Sequence, residues 1–389
     1  MIRHIVQLMW NRRKKNFLLM TEVFISFLVL FGISTLIFEN LDHYRKPLGF
    51  EYDQVRMLSM RRGQIEYSEL KEKFQLIKQR LKDNPKVLFS SMVSSNSPFT
   101  DNGWFSVEED SLRRVEFNFF AVEREFFDVM QIPFLEGETF PKVNTNPEER
   151  LVVVNKKLAD EIGVPNLIGE NIVRDMKVVG VVDKYRYKSS FFPDAVSLFE
   201  MIDENDTTDL NWFSGDVLIR LQEGTSKGEE RELLEELEGI APDWRFDMQE
   251  LADMKIEAER KLEAPLIIFF VVAVFLILNV ALGLFGVLWY NINKRKGEIG
   301  LRRALGAPAN LVRKQFVGEV LVITLFAIIV GLFFAIQFPL LGLFEIRAGI
   351  YALAILIALI LIFGIATFCA LYPSKLAADM EPSLALHEQ

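Results

Sequence analysis

The residues best suited to chemistry lie in one short basic stretch, KRKGEIGLRRALGAPANLVRKQFVGE, at 294–319. Adjacent arginines, Arg302 and Arg303, suit the bidentate gripping of carboxylates. On a helix, Ile299, Leu301 and Leu305 give an apolar face with the arginines nearby, while Gly306 and Pro308 mark a stop and a turn. This is chemistry of binding. The same pattern also suits a basic loop that hugs a membrane and satisfies topology alone. Catalytic constellations are scarce. The three histidines, His4, His43 and His387, are scattered, and no pair has metal-ligand spacing. No GxxxxGK[ST] phosphate loop occurs, nor HExxH, CxxC or a nucleophile elbow, so the chain reads as non-enzymatic with no Walker-type nucleotide site. Glu108, Glu109 and Asp110 read as a solvated acidic turn.

The elements that must position the basic stretch follow from hydropathy. Half of the 389 residues are apolar, 34 are Phe, and 25% are charged, so the two classes must segregate. Windows of about 20 residues, the length that spans a hydrocarbon core, find four nearly uncharged runs. They lie at 17–38, 264–290, 319–344 and 349–372. The first lacks a small-x-small cleavage site and reads as a retained anchor. Its single ionisable residue, Glu22, falls near one end, suited to the interface or to a neighbouring helix.

Orientation follows from short basic flanks, which stay in the cytoplasm. Residues 1–16 hold Arg3, Arg12, Arg13, Lys14 and Lys15 with no acid, and the loop 291–318 holds seven bases against Glu298. Both face inward, as does the tail 373–389. Residues 39–263 then form a large outer domain, and 345–348 a short outer hairpin between the third and fourth runs. The outer domain carries 46 acids and 30 bases while the rest of the chain carries 7 and 14. Such acidity argues against nucleic acid and against docking on anionic lipid. The only cysteine, Cys369, lies in the fourth run, so the outer domain has no disulfide.

Within the outer domain two segments share the order strand, helix, strand. VRMLSM (55–60), YSELKEKFQLIKQRLKD (67–83) and VLFSSMVSS (87–95) form one; DVLIRL (216–221), SKGEERELLEELEGI (226–240) and DWRFDMQEL (243–251) the other. Leu70, Phe74, Ile77 and Leu81 stripe the first helix, and Leu233, Leu234 and Leu237 the second. The pair reads as a duplicated βαβ unit over 39–111 and 201–251, with right-handed crossovers. Residues 112–200 are strand-rich and read as an inserted subdomain whose two ends lie close together. A helical stalk, 252–263, leads into the second run.

The string EIGLRRALGA (298–307), with Phe316 and Glu319 at the mouth of the third run, resembles the signature of the MacB/FtsX-like ABC permeases, the type VII or mechanotransmission class. FFDVMQIPFLEGETF (126–140), RLVVVNKKLADEIGVPNLIGENI (150–172) and VVGVVDKYRY (178–187) resemble that family's inserted subdomain. PSKLAADMEPSLAL (373–386) resembles its tail, with Pro373, Ala377, Pro382 and Ala385 in step, although His387 stands where many members have Arg.

The resemblance implies a membrane protein of four transmembrane α-helices, with a large α+β extracytoplasmic domain inserted between helices 1 and 2. It implies that Glu298, Gly300, Leu301, Arg302, Arg303, Leu305, Gly306 and Ala307 form a coupling helix docking on an ABC ATPase. That partner holds ATP and Mg, while this chain binds no cofactor and no metal. It further implies a second permease copy or paralogue, surrounding membrane lipids, and a periplasmic adaptor or outer-membrane channel. The expected function is coupling of ATP hydrolysis to export or extraction of a substrate; the alternative is a scaffold that activates an extracytoplasmic hydrolase.

Overall fold

The computed structural model describes residues 13–62, 67–93, 96–100, 103–109, 114–144, 146, 149–173, 175–202, 215–342, 344 and 346–378. The chain divides into two units, residues 1–42 with 263–389, and residues 43–262. Helix α1 (Arg13–Tyr44) runs from the first unit into the second. The second then follows the order β1 (Val55–Arg61), α2 (Tyr67–Asp83), β2 (Val87–Val93), β3 (Phe105–Glu109), β4 (Arg114–Val122), α3 (Phe126–Met130) and β5 (Phe134–Gly137). It continues through β6 (Arg150–Asn155), α4 (Lys156–Ile162), β7 (Met176–Val182), β8 (Ser197–Met201), β9 (Asp216–Leu221), α5 (Lys227–Ile240) and β10 (Arg245–Glu250).

The strands form one sheet in the order β10-β1-β9-β2-β4-β8-β6-β7-β5, with β3 on β4. Strand β9 lies antiparallel between β1 and β2, and β1 lies antiparallel between β9 and β10. The two strand-helix-strand segments are therefore interleaved as split βαβ units. Helices α2 and α5 cover one face of the sheet, where Leu70, Phe74, Ile77 and Leu81 meet Leu233, Leu237 and Trp244 in one buried cluster. Helix α5 begins at a capping box. Ser226 Oγ accepts from the Glu229 amide at 3.3 Å, and the Glu229 carboxylate accepts from the Ser226 amide at 2.7 Å. A second buried cluster is aromatic, with Phe50, Phe99, Phe120, Phe126, Tyr185 and Phe199.

Residues 112–200 continue the same sheet, joined to it where β2 meets β4 through the pair Val93–Val122, and they bury a cluster of their own that includes Val115, Phe117, Val152, Leu158 and Leu198. Two expectations for this domain are corrected. The ends of that segment do not meet where expected, since β4 runs parallel to β8 and sets Val122, not Arg114, beside Met201. Glu108 and Glu109 lie in β3 rather than in a turn, Glu108 opposite Val115 and Glu109 opposite Arg114; Asp110 is outside the described residues.

Helix α6 (Leu251–Lys294) follows β10 directly, so the stalk and the second membrane run are one helix of 44 residues. Lys255 and Glu259 pair along it at 2.8 Å. Pro265, inside this helix, removes one backbone donor. Next come α7 (Lys296–Ala304), α8 (Ala309–Ala335), α9 (Gln337–Leu340) and α10 (Ala348–Ala378). Helix α8 starts at Ala309, so residues 309–318 belong to the third long helix and not to the loop. Its early start follows from Pro308, which ends the preceding turn as the residue capping α8. Helix α10 likewise carries on through Pro373 to Ala378. Glu345 of the outer hairpin, and Pro382, Ala385 and His387 of the tail, lie outside the described residues.

Four of these helices are long and apolar enough to cross a membrane. Helix α10 presents Ala354, Ala358, Ile362, Ala366 and Ala370, each fully buried and four residues apart, in the core shared with Val320, Ala327 and Ala335 of α8. Small side chains let helix backbones approach closely, the main source of attraction between helices in lipid. Gly331 of α8 is needed for a different neighbour: a methyl group there would lie 2.5 Å from the ring of Phe27 in α1. The Glu22 carboxylate sits against α6 in the same way, since a methyl group on Gly283 would lie 2.5 Å and 2.6 Å from its two oxygens.

Candidate functional site

The loop between the second and third membrane helices is built from the end of α6, the nine residues of α7, a tight turn, and the start of α8. Arg295 sits at the corner between α6 and α7. Its Nη1 donates to both oxygens of Glu319 in α8, at 3.0 Å and 3.2 Å. The two side chains are 11% and 15% exposed. The guanidinium also lies 6.0 Å from the centre of the Phe316 ring, which is buried. One turn back along α8, Gln315 donates to Glu319 at 3.3 Å and accepts from Arg302 Nη1 at 3.1 Å. A polar ladder thus ties α7 to α8 at the ends of the helices, and because its central ion pair is largely buried each charge depends on the other.

The C-terminus of α7 has its own lock. The Ala307 amide donates to the Arg302 carbonyl at 3.0 Å, and Gly306 adopts φ +91°. A bond closing five residues back, over a left-handed glycine, is the Schellman pattern. Glycine serves here because a side chain is strained at that φ.

The predicted apolar face is split. Ile299 is buried and joins the bundle core, whereas Leu301 is 52% exposed and Leu305 is 80% exposed. Two residues along a helix are about 200° apart, so Ile299 and Leu301 face opposite ways, while Leu301 and Leu305 share the outer side. Arg302 and Gly306 are also exposed, and Ala307 is half-buried. Glu298, Gly300 and Arg303 lie in α7 by backbone, and their side chains are outside the described ones. Arg295 and Gln315 were missed from sequence. The signal for Arg295 was its place immediately before the helix, and for Gln315 its spacing of four from Glu319.

Two family models match the chain. One, the MacB-like periplasmic core domain, takes in residues 44–237, and the other, the FtsX-like permease C-terminal region, residues 270–382. Between them they reach both units. The chain belongs to the MacB/FtsX-like permeases. Among its relatives, an uncharacterized ABC transporter permease, YvrN, of Bacillus subtilis (strain 168) is 23% identical over 296 residues, 69% of each chain. The macrolide export ATP-binding/permease protein MacB of Escherichia coli (strain K12) is 25% identical over 285 residues, 68% of this chain. The match spans 42% of the length of that MacB relative. Of solved structures, the periplasmic region of MacB from Actinobacillus actinomycetemcomitans aligns with a TM-score of 0.37 at 14% identity, over 53% of this chain and 92% of that one. The extracellular domain of YknZ, from Gram-positive bacteria, aligns with a TM-score of 0.33 at 12% identity, over 49% and 99%.

This MacB/FtsX-like permease is therefore a multi-pass component of an ABC transporter, with four membrane helices and a large extracytoplasmic α/β domain. Its family works with an ABC ATPase.

Proposed function

We propose that this permease couples ATP hydrolysis, by an ATPase supplied outside these residues, to movement of its extracytoplasmic domain, and so drives export or extraction of a substrate. ATP and magnesium belong to that ATPase, and α7 is its docking element. The observation carrying this reading is the presentation of α7. Leu301 and Leu305 face outward beside Arg302, while Ile299 and the Arg295–Glu319 pair hold the helix against the bundle. An exposed apolar pair beside an arginine suits a partner groove bearing carboxylates. A push on α7 reaches α8 through the Arg295–Glu319 pair and α6 through the backbone at Arg295. Because α6 is continuous from Leu251 to Lys294, it is the lever that carries displacement from the docking loop towards the outer domain. The same reading has the permease act beside a second copy or paralogue, with the basic loop and both termini cytoplasmic and an adaptor or channel outside.

The test is co-purification with a candidate ABC ATPase from the same genome. Arg302→Glu with Arg303→Glu is expected to abolish assembly or to remove the permease's effect on ATP turnover. Unchanged assembly and unchanged turnover overturn the assignment of α7.

A further inference from the structure

The outer domain holds 46 acids against 30 bases over residues 39–263, yet one place in it reverses that balance. Lys46, Lys156, Lys157, Lys184 and Arg186 converge on a cavity of about 380 Å³. Asp160, Asp183 and Asp194 share its wall with His43, so five cations face three carboxylates. Three segments distant in sequence supply them: the exit from α1, the first turn of α4, and the loop after β7.

The cavity is built rather than incidental. Arg186 is 2% exposed and fixes the loop after β7 by donating to the carbonyls of Lys46 at 2.8 Å and Phe192 at 2.8 Å and 3.0 Å. Lys157 donates to the Asp194 carbonyl at 3.1 Å. The Asp194 carboxylate is turned inward to the Tyr185 amide at 3.0 Å, so it faces the backbone as well as the cavity. Lys156 meets Asp160, and Lys184 meets Asp183, at 3.4 Å in each case, with all four side chains substantially exposed. Long, exposed pairs of this kind are weak and exchange readily for a stronger anion.

The rest of that loop has the composition of a membrane interface. Tyr44, the last residue of α1, stacks on Phe191 at 5.4 Å between ring centres, Phe192 is 40% exposed, and the Lys188 ammonium lies 5.7 Å from the centres of the Phe192 ring and the buried Tyr187 ring. Aromatic rings and lysines together mark the headgroup layer. His43, in the last turn of α1, lines the same cavity.

We propose that this cavity binds the headgroup of an anionic phospholipid from the outer leaflet, with the lysines holding its phosphate and the exposed aromatics resting among neighbouring lipids. The overall acidity of the domain argues against a lipid-facing surface, and the net charge of this wall is the local exception. Lysine serves as a point charge for phosphate without demanding one orientation, which suits a mobile lipid. The inference is independent of the docking of any ATPase.

The test uses the full-length permease in nanodiscs of equimolar phosphatidylglycerol and phosphatidylcholine, released into native mass spectrometry. The wild type is expected to retain phosphatidylglycerol in several-fold excess. Lys156→Glu, Lys157→Glu and Lys184→Glu together are expected to remove that excess while leaving the melting temperature in place. An unchanged excess in the triple variant overturns the proposal, and so does an excess that millimolar inorganic phosphate displaces, which identifies a free-anion site. If the triple variant does not fold, a photoreactive p-benzoylphenylalanine at position 192 decides: cross-linking to phosphatidylglycerol supports the site, and its absence overturns it.

Discussion

In the membrane unit α10 meets α8 through alanine, and an ion pair, Arg295–Glu319, appears only at the end of the bundle, whereas in the extracytoplasmic unit buried ion pairs and arginines aimed at carbonyls sit within the fold. Ala354, Ala358, Ala366 and Ala370 leave α10 nothing polar to offer α8 over four turns. Outside, Arg56 and Glu230 pair at 2.9 Å with both side chains 9% exposed, and Glu123, 4% exposed, accepts from the Met92 amide at 2.7 Å beside the Val93–Val122 junction. The difference follows from the solvent. Lipid gives apolar side chains no reason to leave it, so close approach of backbones is what remains. Water supplies a hydrophobic force large enough to fold a domain around a few charges, provided that each is paired.

The largest break in this comparison is expected at Arg56→Met, which leaves Glu230 buried beside fewer cations. Unfolding of the purified permease followed by near-UV circular dichroism should show a loss of about 3 to 5 kcal/mol in the extracytoplasmic transition. Adding Glu230→Leu sharpens the point, because removing both charges should restore most of that loss. Next comes Asn155→Ala. Asn155 caps α4 by accepting from the Leu158 amide at 3.1 Å, accepts also from the Ser197 amide at 3.1 Å, and donates to the Ala195 carbonyl at 2.7 Å. Removing the side chain orphans all three, and about 2 to 3 kcal/mol should disappear from the same transition.

In the bundle the corresponding break is steric. Ala358→Leu inserts a branched side chain where α10 meets α8, and unfolding in mixed detergent micelles should report a loss of about 1 to 3 kcal/mol, confined to the membrane unit. The smallest effect expected is with pH. A hydrogen bond from the Ser226 amide, with Lys86 nearby, holds the Glu229 carboxyl down to about 2. Lys73 lowers the Asp243 carboxyl and Lys227 lowers the Glu250 carboxyl, each chiefly through a hydrogen bond. Each folded value lies below its unfolded one, so the stabilisation is present above the ordinary carboxylate range and is lost as pH falls through the folded values. The extracytoplasmic melting temperature should therefore fall between about pH 5 and pH 2, and the drop should shrink in Ser226→Ala.

Much of this architecture is readable one segment at a time. Four runs of apolar residues need only length and composition to be recognised, and Gly306 with Pro308 announces the turn after α7 because those two residues restrict the backbone by themselves. The stripe Leu70, Phe74, Ile77 and Leu81 declares its helix for the same reason. The split of Ile299 from Leu301 was within reach of helical geometry, but which side meets the bundle depends on α8 and α10.

Sequence alone thus determined the membrane spans, the strand-helix-strand repeats, and the basic loop with its family signature, since each is written in neighbouring residues. Only the tertiary structure decided that β9 inserts between β1 and β2, that Arg295 finds Glu319, and that Lys46, Lys156 and Lys184 share one cavity. The physical reason is that pairing across tens to hundreds of residues leaves no local periodicity. It is selected by the packing of whole elements, and the charge of a domain summed along its sequence does not reveal where opposite signs gather in space.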